Sequence, residues 1–438
     1  MPLFTFKGGI HPYDGKDLSK DKPIKNVEPG KELVFPLSQH IGAPAKALVE
    51  KGEHVLCGQC IAEAGGFVSA PVYSSVSGTV KCIEKRRTVT GDMADCIVIE
   101  NDDSYEEALP LNDKPYEEMS RDEVIAAIQK AGIAGMGGAG FPTHVKLSPK
   151  DPDKIDTVIV NCAECEPYLT SDYRKMLEEP EKLIGGLQIE AGLFKNARGV
   201  LAVEDNKPDC IKLLRSMTKD MPNISVAALK TKYPQGSERQ LIYAVTNRQI
   251  NSSMLPADAG CIVNNVDTVI AVNEAVREGL PLIYRIVTVT GDAIKEPCNF
   301  RVRTGTKYKD LIEAAGGYKC KPEKIISGGP MMGFALFDLD VPVTKTSSAL
   351  LCMSTDEVRK WEPSACINCG RCVDVCPSRL VPSLLADHAA HFNEEEFLAL
   401  YGMECVECGS CSYVCPAKRQ LVQMIKTMRR TQLAKRRK

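Results

Sequence analysis

Apolar and polar positions change rhythm several times along this chain, and each change marks an element boundary. Between residues 31 and 100, short alternating stretches such as HVLCGQCIAEA and SGTVKCIE are broken by glycine-bearing turns. That period of two predicts a small β domain. An acidic connection near 101–122 follows, and DEVIAAIQKAGI then places its apolar residues at helical spacing. In TVIVNCAECEP a buried strand ends in polar residues, and KYPQGSERQL and CIVNNVDTVIAVNEAV repeat the order strand, polar turn, helix. Such αβ repetition from 120 to 280 predicts a mostly parallel sheet covered by helices. The segments IYRIVTVTG, CNFRVRTG, YKDLIEAAGG and EKIISGGPMMG then read as strand, strand, helix and strand, with the SGGPMMG glycines forming a structural turn. Further on, PSLLADHAAHFNEEEFLALYGM is helical in pattern, and Leu421, Val422, Met424, Ile425 and Met428 gather on one side of a final helix. The pattern therefore predicts a multidomain α/β protein, with units at 1–105, 115–280, 281–346 and 355–420 and a tail at 421–438.

The cysteines change this picture most. Residues 366–377 read CINCGRCVDVCP and residues 405–416 read CVECGSCSYVCP. One tight loop supplies three thiolates to a [4Fe–4S] cube but cannot wrap it, so in two-cluster proteins the fourth comes from the other half. The spacing thus assigns Cys366, Cys369, Cys372 and Cys415 to one cluster, and Cys405, Cys408, Cys411 and Cys376 to a second. Zinc would need only CxxC pairs and would leave the third cysteine and the prolines unexplained. The long helical spacer between the two motifs favours an α-helical ferredoxin unit. Cys57 and Cys60 form an isolated CxxC and read as core residues. His388 and His391, with no third ligand nearby, read as surface residues.

Composition sets limits. The net charge of −2 over 438 residues gives no general case for nucleic acid. Eleven further cysteines without a disulfide-like spacing indicate a reducing compartment. The first residues, MPLFTFKGGIHPYDGK, lack the apolar core of a signal peptide, and no run of 18 apolar residues exists to span a membrane. Residues 417–438 carry nine Lys and Arg and no acid, so the tail is expected to rest on anionic lipid or an acidic partner, or to be a solvated charge run.

In the segment GMGGAGFPTHVKL, residues 135–147, the glycines let the backbone approach a ligand closely, with amide groups turned towards a phosphate or a flat ring, or form a plain turn. Strand VIV ends at Asn161, Glu164 and Glu166, the position where open α/β sheets place ligand groups. GMGGAGFPT, NCAECEP, YPQGSE and VNNVDT resemble, in order and spacing, the flavin-binding subunit of respiratory complex I. The resemblance implies FMN held by Gly135, Gly137, Gly138, Lys146, Asn161, Glu164, Tyr233, Gly236, Asn264, Asn265 and Thr268. It also implies that Phe141, Glu166 and Glu238 hold the nicotinamide nucleotide. Met136, Ala163 and Ser237 depart from that pattern, which has arginine, aspartate and glutamate there. Residues 44–78 resemble a lipoyl- or biotinyl-type barrel-sandwich domain. Its hairpin tip carries Pro71, Val72, Tyr73 and Ser74 where a carrier has its modifiable lysine, so a docking or structural module is expected. The 281–346 segment resembles a β-grasp (SLBB-like) module.

With the FKGGIHP start, this order of units is similar to the C subunits of Rnf (Rsx) electron-transport complexes. That likeness implies a peripheral, cytosol-facing member of a membrane ferredoxin:NAD oxidoreductase complex. It would pass electrons between NAD(H), FMN and two [4Fe–4S] clusters, while membrane-embedded partner subunits couple the flow to ion movement. A soluble cobalamin reductase of a microcompartment shares the flavin and two-cluster layout. A non-enzymatic relay subunit with a degenerate flavin pocket is a third possibility.

Overall fold

A computed structural model describes residues 3–436. At the N-terminal end, the strands Glu32–Pro36, Met93–Asn101, Gly78–Arg87 and His54–Val55 form an antiparallel sheet, accompanied by a smaller one of Lys46–Ala47, Cys60–Glu63 and Val72–Tyr73. Inward-facing Leu33, Phe35, Val55, Ile61, Val80, Ile97 and Ile99 fill the space between them, as alternation along half-buried strands requires. The hairpin tip is buried. Tyr73 Oη donates to the Lys130 carbonyl, and Lys345 Nζ donates to the carbonyls of Pro71 and Gly132 (2.7 Å to the latter). Burial pushes the Lys345 ammonium down to about 7. A tip seated in this way packs the barrel-sandwich unit against the next one and presents nothing for a carrier to swing. Of the isolated CxxC pair, Cys57 is buried in this unit and Cys60 is half-buried.

The second unit is a four-stranded, fully parallel sheet in the order Ile224–Leu229, Arg198–Glu204, Thr157–Cys162, Cys261–Asn265. The first strand in sequence, Thr157–Cys162, lies between its successor and the last strand. The sheet therefore reverses its winding direction between Thr157–Cys162 and Cys261–Asn265, and a crevice opens at their carboxyl ends. Helices Pro180–Gly192 and Val266–Glu278 pack together on one face, around Leu183, Leu187, Val269, Val272 and Val276. Helix Arg121–Lys130 begins with a capping box between Ser120 and Glu123, which satisfies two otherwise orphaned backbone donors.

The third unit is larger than its sequence suggested. Its six-stranded sheet runs Lys25–Asn26, Cys298–Arg303, Tyr284–Thr290, Ala349–Met353, Lys324–Ser327, Phe334–Leu336. The expected boundary at residue 346 falls short, because Ala349–Met353 inserts at the centre and pairs parallel to Tyr284–Thr290 and antiparallel to Lys324–Ser327. A strand buried on both sides reads as a short apolar run rather than an alternation, so ALLCM carries no periodicity that marks it as a strand.

The iron–sulfur unit contains the helices Pro382–Ala390 and Glu394–Ala399 between the cysteine loops. The final helix, Leu421–Arg436, is an integral part of the iron–sulfur unit rather than a separate tail. Leu421, Ile425 and Met428 are buried against Leu385, Ala386 and Phe397 and form the core of this unit. Several basic side chains of the segment pair with acids of the same unit: Arg419 with Asp387, Arg429 with Glu407, and Lys435 with Glu394 at 2.6 Å. The apolar stripe seeks a core, and the nearest one lies in its own domain. Residues 437 and 438, the end of the expected tail, lie outside the described residues. Among the described residues, no helix is long and apolar enough to cross a membrane.

Candidate functional site

The glycine segment lies over the crevice where the parallel sheet reverses. Gly135 N–H donates to the Phe141 carbonyl at 2.8 Å, and Met136 N–H donates to Thr268 Oγ1 at 3.0 Å, which ties the loop to the helix Val266–Glu278. Gly137 lies against Asn265, and a Cβ added there would come within 2.8 Å of the Asn265 Cβ. A Cβ at Gly138 would meet nothing within 4 Å, so this part of the loop faces open space. Asn265 caps the helix by accepting from Asp267 N–H at 2.9 Å and donates to Asp172 Oδ2 at 2.7 Å. Lys146 Nζ reaches the Val263 carbonyl at 3.0 Å and stands 3.9 Å from Glu238 Oε1. Asn161 Nδ2 donates to the Gly236 carbonyl at 2.8 Å. Contacts thus bring together Gly135 with Phe141, Met136 with Thr268, Gly137 with Asn265, Lys146 with Glu238, and Asn161 with Gly236.

Asn264 shows how the crevice is prepared. Its Nδ2 donates to Glu190 Oε1 at 2.9 Å, and its Oδ1 is buried without a partner, as is Glu190 Oε2. A buried orphan acceptor costs about 1–3 kcal/mol, and a ligand hydroxyl or N–H would relieve it. Burial pushes the Glu190 carboxyl up to about 7. Folded protein therefore holds this proton up to about pH 7 while unfolded chain loses it near 4.5, so stability falls as pH rises through that window. Glu190→Gln should match wild type near pH 5 and exceed it by up to about 3 kcal/mol at pH 8. Thermal melts at the two pH values check this. A difference independent of pH would exclude a buried, titrating Glu190.

Three expected ligands carry protein contacts of their own. Glu164 is buried at φ 46°, accepts Asp172 N–H at 2.7 Å and lies 3.7 Å from Lys16 Nζ. Glu166 Oε1 accepts the N–H groups of Met331 and Met332, at 2.7 and 3.2 Å. Its carboxylate therefore secures the SGGPMMG turn of the β-grasp-like unit. Tyr233 Oη donates to the carbonyl of Cys408 at 2.7 Å. These residues link the crevice to its neighbours. Sequence reasoning also passed over Arg285, which is buried beneath the glycine loop. Its guanidinium touches Met136, pairs with Asp267 and donates through Nε to the Ser347 carbonyl at 3.0 Å. A cation from the next unit thus stands beside Met136, where the resembled pattern has arginine. Only the fold brings the two together.

The cysteine loops have one backbone design used twice. Asn368 and Glu407, Gly370 and Gly409, and Arg379 and Lys418 take matching positive φ values at equivalent places in the two motifs. Each glycine precedes one turn of helix, Arg371–Asp374 or Ser410–Tyr413. Cys376, Cys405, Cys408 and Cys411 line a single cavity walled by Leu380, Pro382, Leu385, Val422 and Ile425. The thiol of the first motif's last cysteine thus shares this cavity with three from the second. Four sulfurs around a low-polarity cavity fit a cube of four irons. Among the described residues, no group of three or more His, Cys, Asp or Glu is arranged to hold a single metal ion. The other set differs in exposure: Cys366 and Cys369 are exposed, and Cys372 and Cys415 are half-buried.

A parallel α/β domain with a glycine-lined crevice, fused to a loop pair built for two iron–sulfur cubes, defines a flavin and iron–sulfur electron-transfer protein. Comparison with known proteins agrees unit by unit. Residues 4–104 match the RnfC barrel sandwich hybrid domain, 128–274 the Nuo51 FMN-binding domain, 286–335 the SLBB domain and 365–419 the 4Fe-4S dicluster domain. The chain is 45% identical over 386 residues to the C subunit of the proton-translocating ferredoxin:NAD(+) oxidoreductase complex of Clostridium ljungdahlii, covering 88% of this chain and 84% of that protein. It is 44% identical to the C subunit of the Na(+)-translocating complex of Acetobacterium woodii, covering 99% and 98%. The chain belongs to the RnfC family, the C subunits of ferredoxin:NAD(+) oxidoreductase complexes. Its fold also resembles a chain of NAD+-reducing [NiFe]-hydrogenase in the air-oxidized state, with a TM-score of 0.51 at 19% identity, covering 65% of this chain and 55% of that one.

Proposed function

We propose that this protein passes electrons between NAD(H) and two [4Fe–4S] clusters through FMN bound in the glycine-lined crevice, with the exposed cluster facing a partner in the complex. The observation that carries this reading is the contact of Tyr233 Oη with the Cys408 carbonyl. It seats the loop of the buried cluster on the lip of the crevice.

FMN, when bound, supplies the exchange between paired electrons and single ones that nicotinamide and iron–sulfur clusters cannot make directly. The chain does the rest. Open space at Gly138 and the Lys146 ammonium receive the flavin's phosphate and ring, and Asn264 offers its unpartnered oxygen. Glu238, on the exposed side of Lys146, stands where a nucleotide approaches. Asn265 and Thr268 hold the loop against the helix start. Leu380, Leu385 and Ile425 exclude water from the buried cluster, while the exposed loop of Cys366 and Cys369 leaves the second cluster open to a partner. Ion translocation belongs to other members of the complex. Its place in the complex is peripheral and on the cytoplasmic side, the reducing compartment that its many free thiols suit; no helix among the described residues is long and apolar enough to cross a membrane.

Anaerobically purified protein should contain one FMN and about eight irons per chain, two cubes of four, and NADH should bleach the flavin absorbance. Protein lacking releasable flavin but holding both clusters would support a relay role instead.

A further inference from the structure

The N-terminal FKGGIHP segment is not accounted for by either cofactor site, yet it lies between them. Phe4 joins the edge of the parallel sheet: its N–H donates to the Ala228 carbonyl and its carbonyl accepts Lys230 N–H, both at 2.9 Å. Ile10 exchanges two backbone hydrogen bonds with Tyr233, at 2.8 and 2.9 Å. Between these anchors, Gly9 N–H donates to the Val375 carbonyl at 2.9 Å. Lys232 Nζ donates to the carbonyls of Phe6 and Gly8 and sits 3.9 Å from the centre of the Phe6 ring. Ile10, Tyr233 and Cys408 share one apolar cluster.

The two glycines are required on both counts that favour glycine. Gly8 has φ 82°, and a Cβ there would lie 3.0 Å from the carbonyl oxygens of both Val375 and Cys376. Gly9 has φ 84°, and its Cβ would lie 2.7 Å from the Tyr233 carbonyl oxygen. The segment is thus pressed between the Lys232–Tyr233 lip of the crevice and the peptide that carries the fourth thiol of the buried cluster.

We propose that residues 4–10 are a positioning strap that fixes the Val375–Cys376 peptide, and with it the Cys376 thiol, against the flavin unit. Gly8, Gly9 and Lys232 are positioning residues here. The strap adds no chemical step and rests on the reading of the two cofactor sites given above.

The test uses the full-length, anaerobically reconstituted protein. Gly8→Val should raise amide exchange across residues 373–378 about 10-fold and shift the paramagnetic spectrum of the buried cluster. Transfer from NADH-reduced flavin to the clusters should slow by about 10-fold, while the FMN titration followed by fluorescence stays unchanged. Should Gly8→Val fail to fold, Lys232→Met relaxes the same strap without backbone strain and should give the same exchange and spectral changes, with Lys232→Arg restoring most of both. Wild-type exchange, spectrum and transfer rate in whichever variant folds would overturn the strap. Wild-type protein without FMN, or without the buried cluster, would instead overturn the reading on which the strap rests.

Discussion

Cys376→Ser should remove the cluster built on Cys405, Cys408 and Cys411 and spare the one nearer to it in sequence. Cys376 lies in the first motif, but its side chain lines the cavity of the second with Cys405, Cys408 and Cys411. A serine hydroxyl is a poor replacement for a thiolate on iron, so the iron content should fall from about eight to about four per chain. The remaining cluster should still be reducible by dithionite. NADH should no longer reduce it, because the group seated on Tyr233 would be missing from between it and the flavin crevice. Iron analysis with paramagnetic spectroscopy of both variants, Cys376→Ser and Cys415→Ser, checks the assignment. Loss of the Cys366, Cys369, Cys372 cluster in Cys376→Ser would contradict cross-ligation.

Gly137→Val should empty the flavin crevice and leave both clusters in place. Even a single Cβ at this position meets the Asn265 side chain at 2.8–3.1 Å, and Asn265 is held on its other side by Asp172 and Asp267. The branched side chain must therefore displace the loop outwards, into the space that the open side of Gly138 leaves for a ligand. Overpacking of this kind costs about 1–3 kcal/mol, equivalent to roughly 5–150-fold in FMN affinity. Fluorescence of released flavin and an FMN titration of the apo-protein measure it. Full flavin content in Gly137→Val would place the ligand elsewhere.

Much of this architecture was legible in the chain, for local reasons. The cysteine spacings encode their own loop geometry, and the strand-turn-helix repeats encode a parallel sheet whose carboxyl ends carry Asn161, Asn264 and Asn265. Other features depend on contacts distant in sequence. The stripe Leu421, Ile425, Met428 has the same appearance whether it meets lipid or Phe397, and only the packed domain decides between them. Lys25–Asn26 contributes a strand to a sheet whose next member begins at Cys298, and no periodicity in two residues can announce that. Glu166 stands at a strand end, and only the fold brings the Met331–Met332 turn to its carboxylate. Arg285 resembles any strand arginine until the fold places it beneath Met136.

The order in which the clusters receive electrons is the most direct test of the account. Rapid freezing of wild-type protein after mixing with NADH, followed by paramagnetic spectroscopy with the two single-cluster variants as references, resolves it. The buried Cys376, Cys405, Cys408, Cys411 cluster should show its reduced signal first, and the exposed Cys366, Cys369, Cys372, Cys415 cluster should follow. Reduction of the exposed cluster before the buried one, or its reduction by NADH in Cys376→Ser, would contradict a path that leaves the crevice through Tyr233 and Cys408.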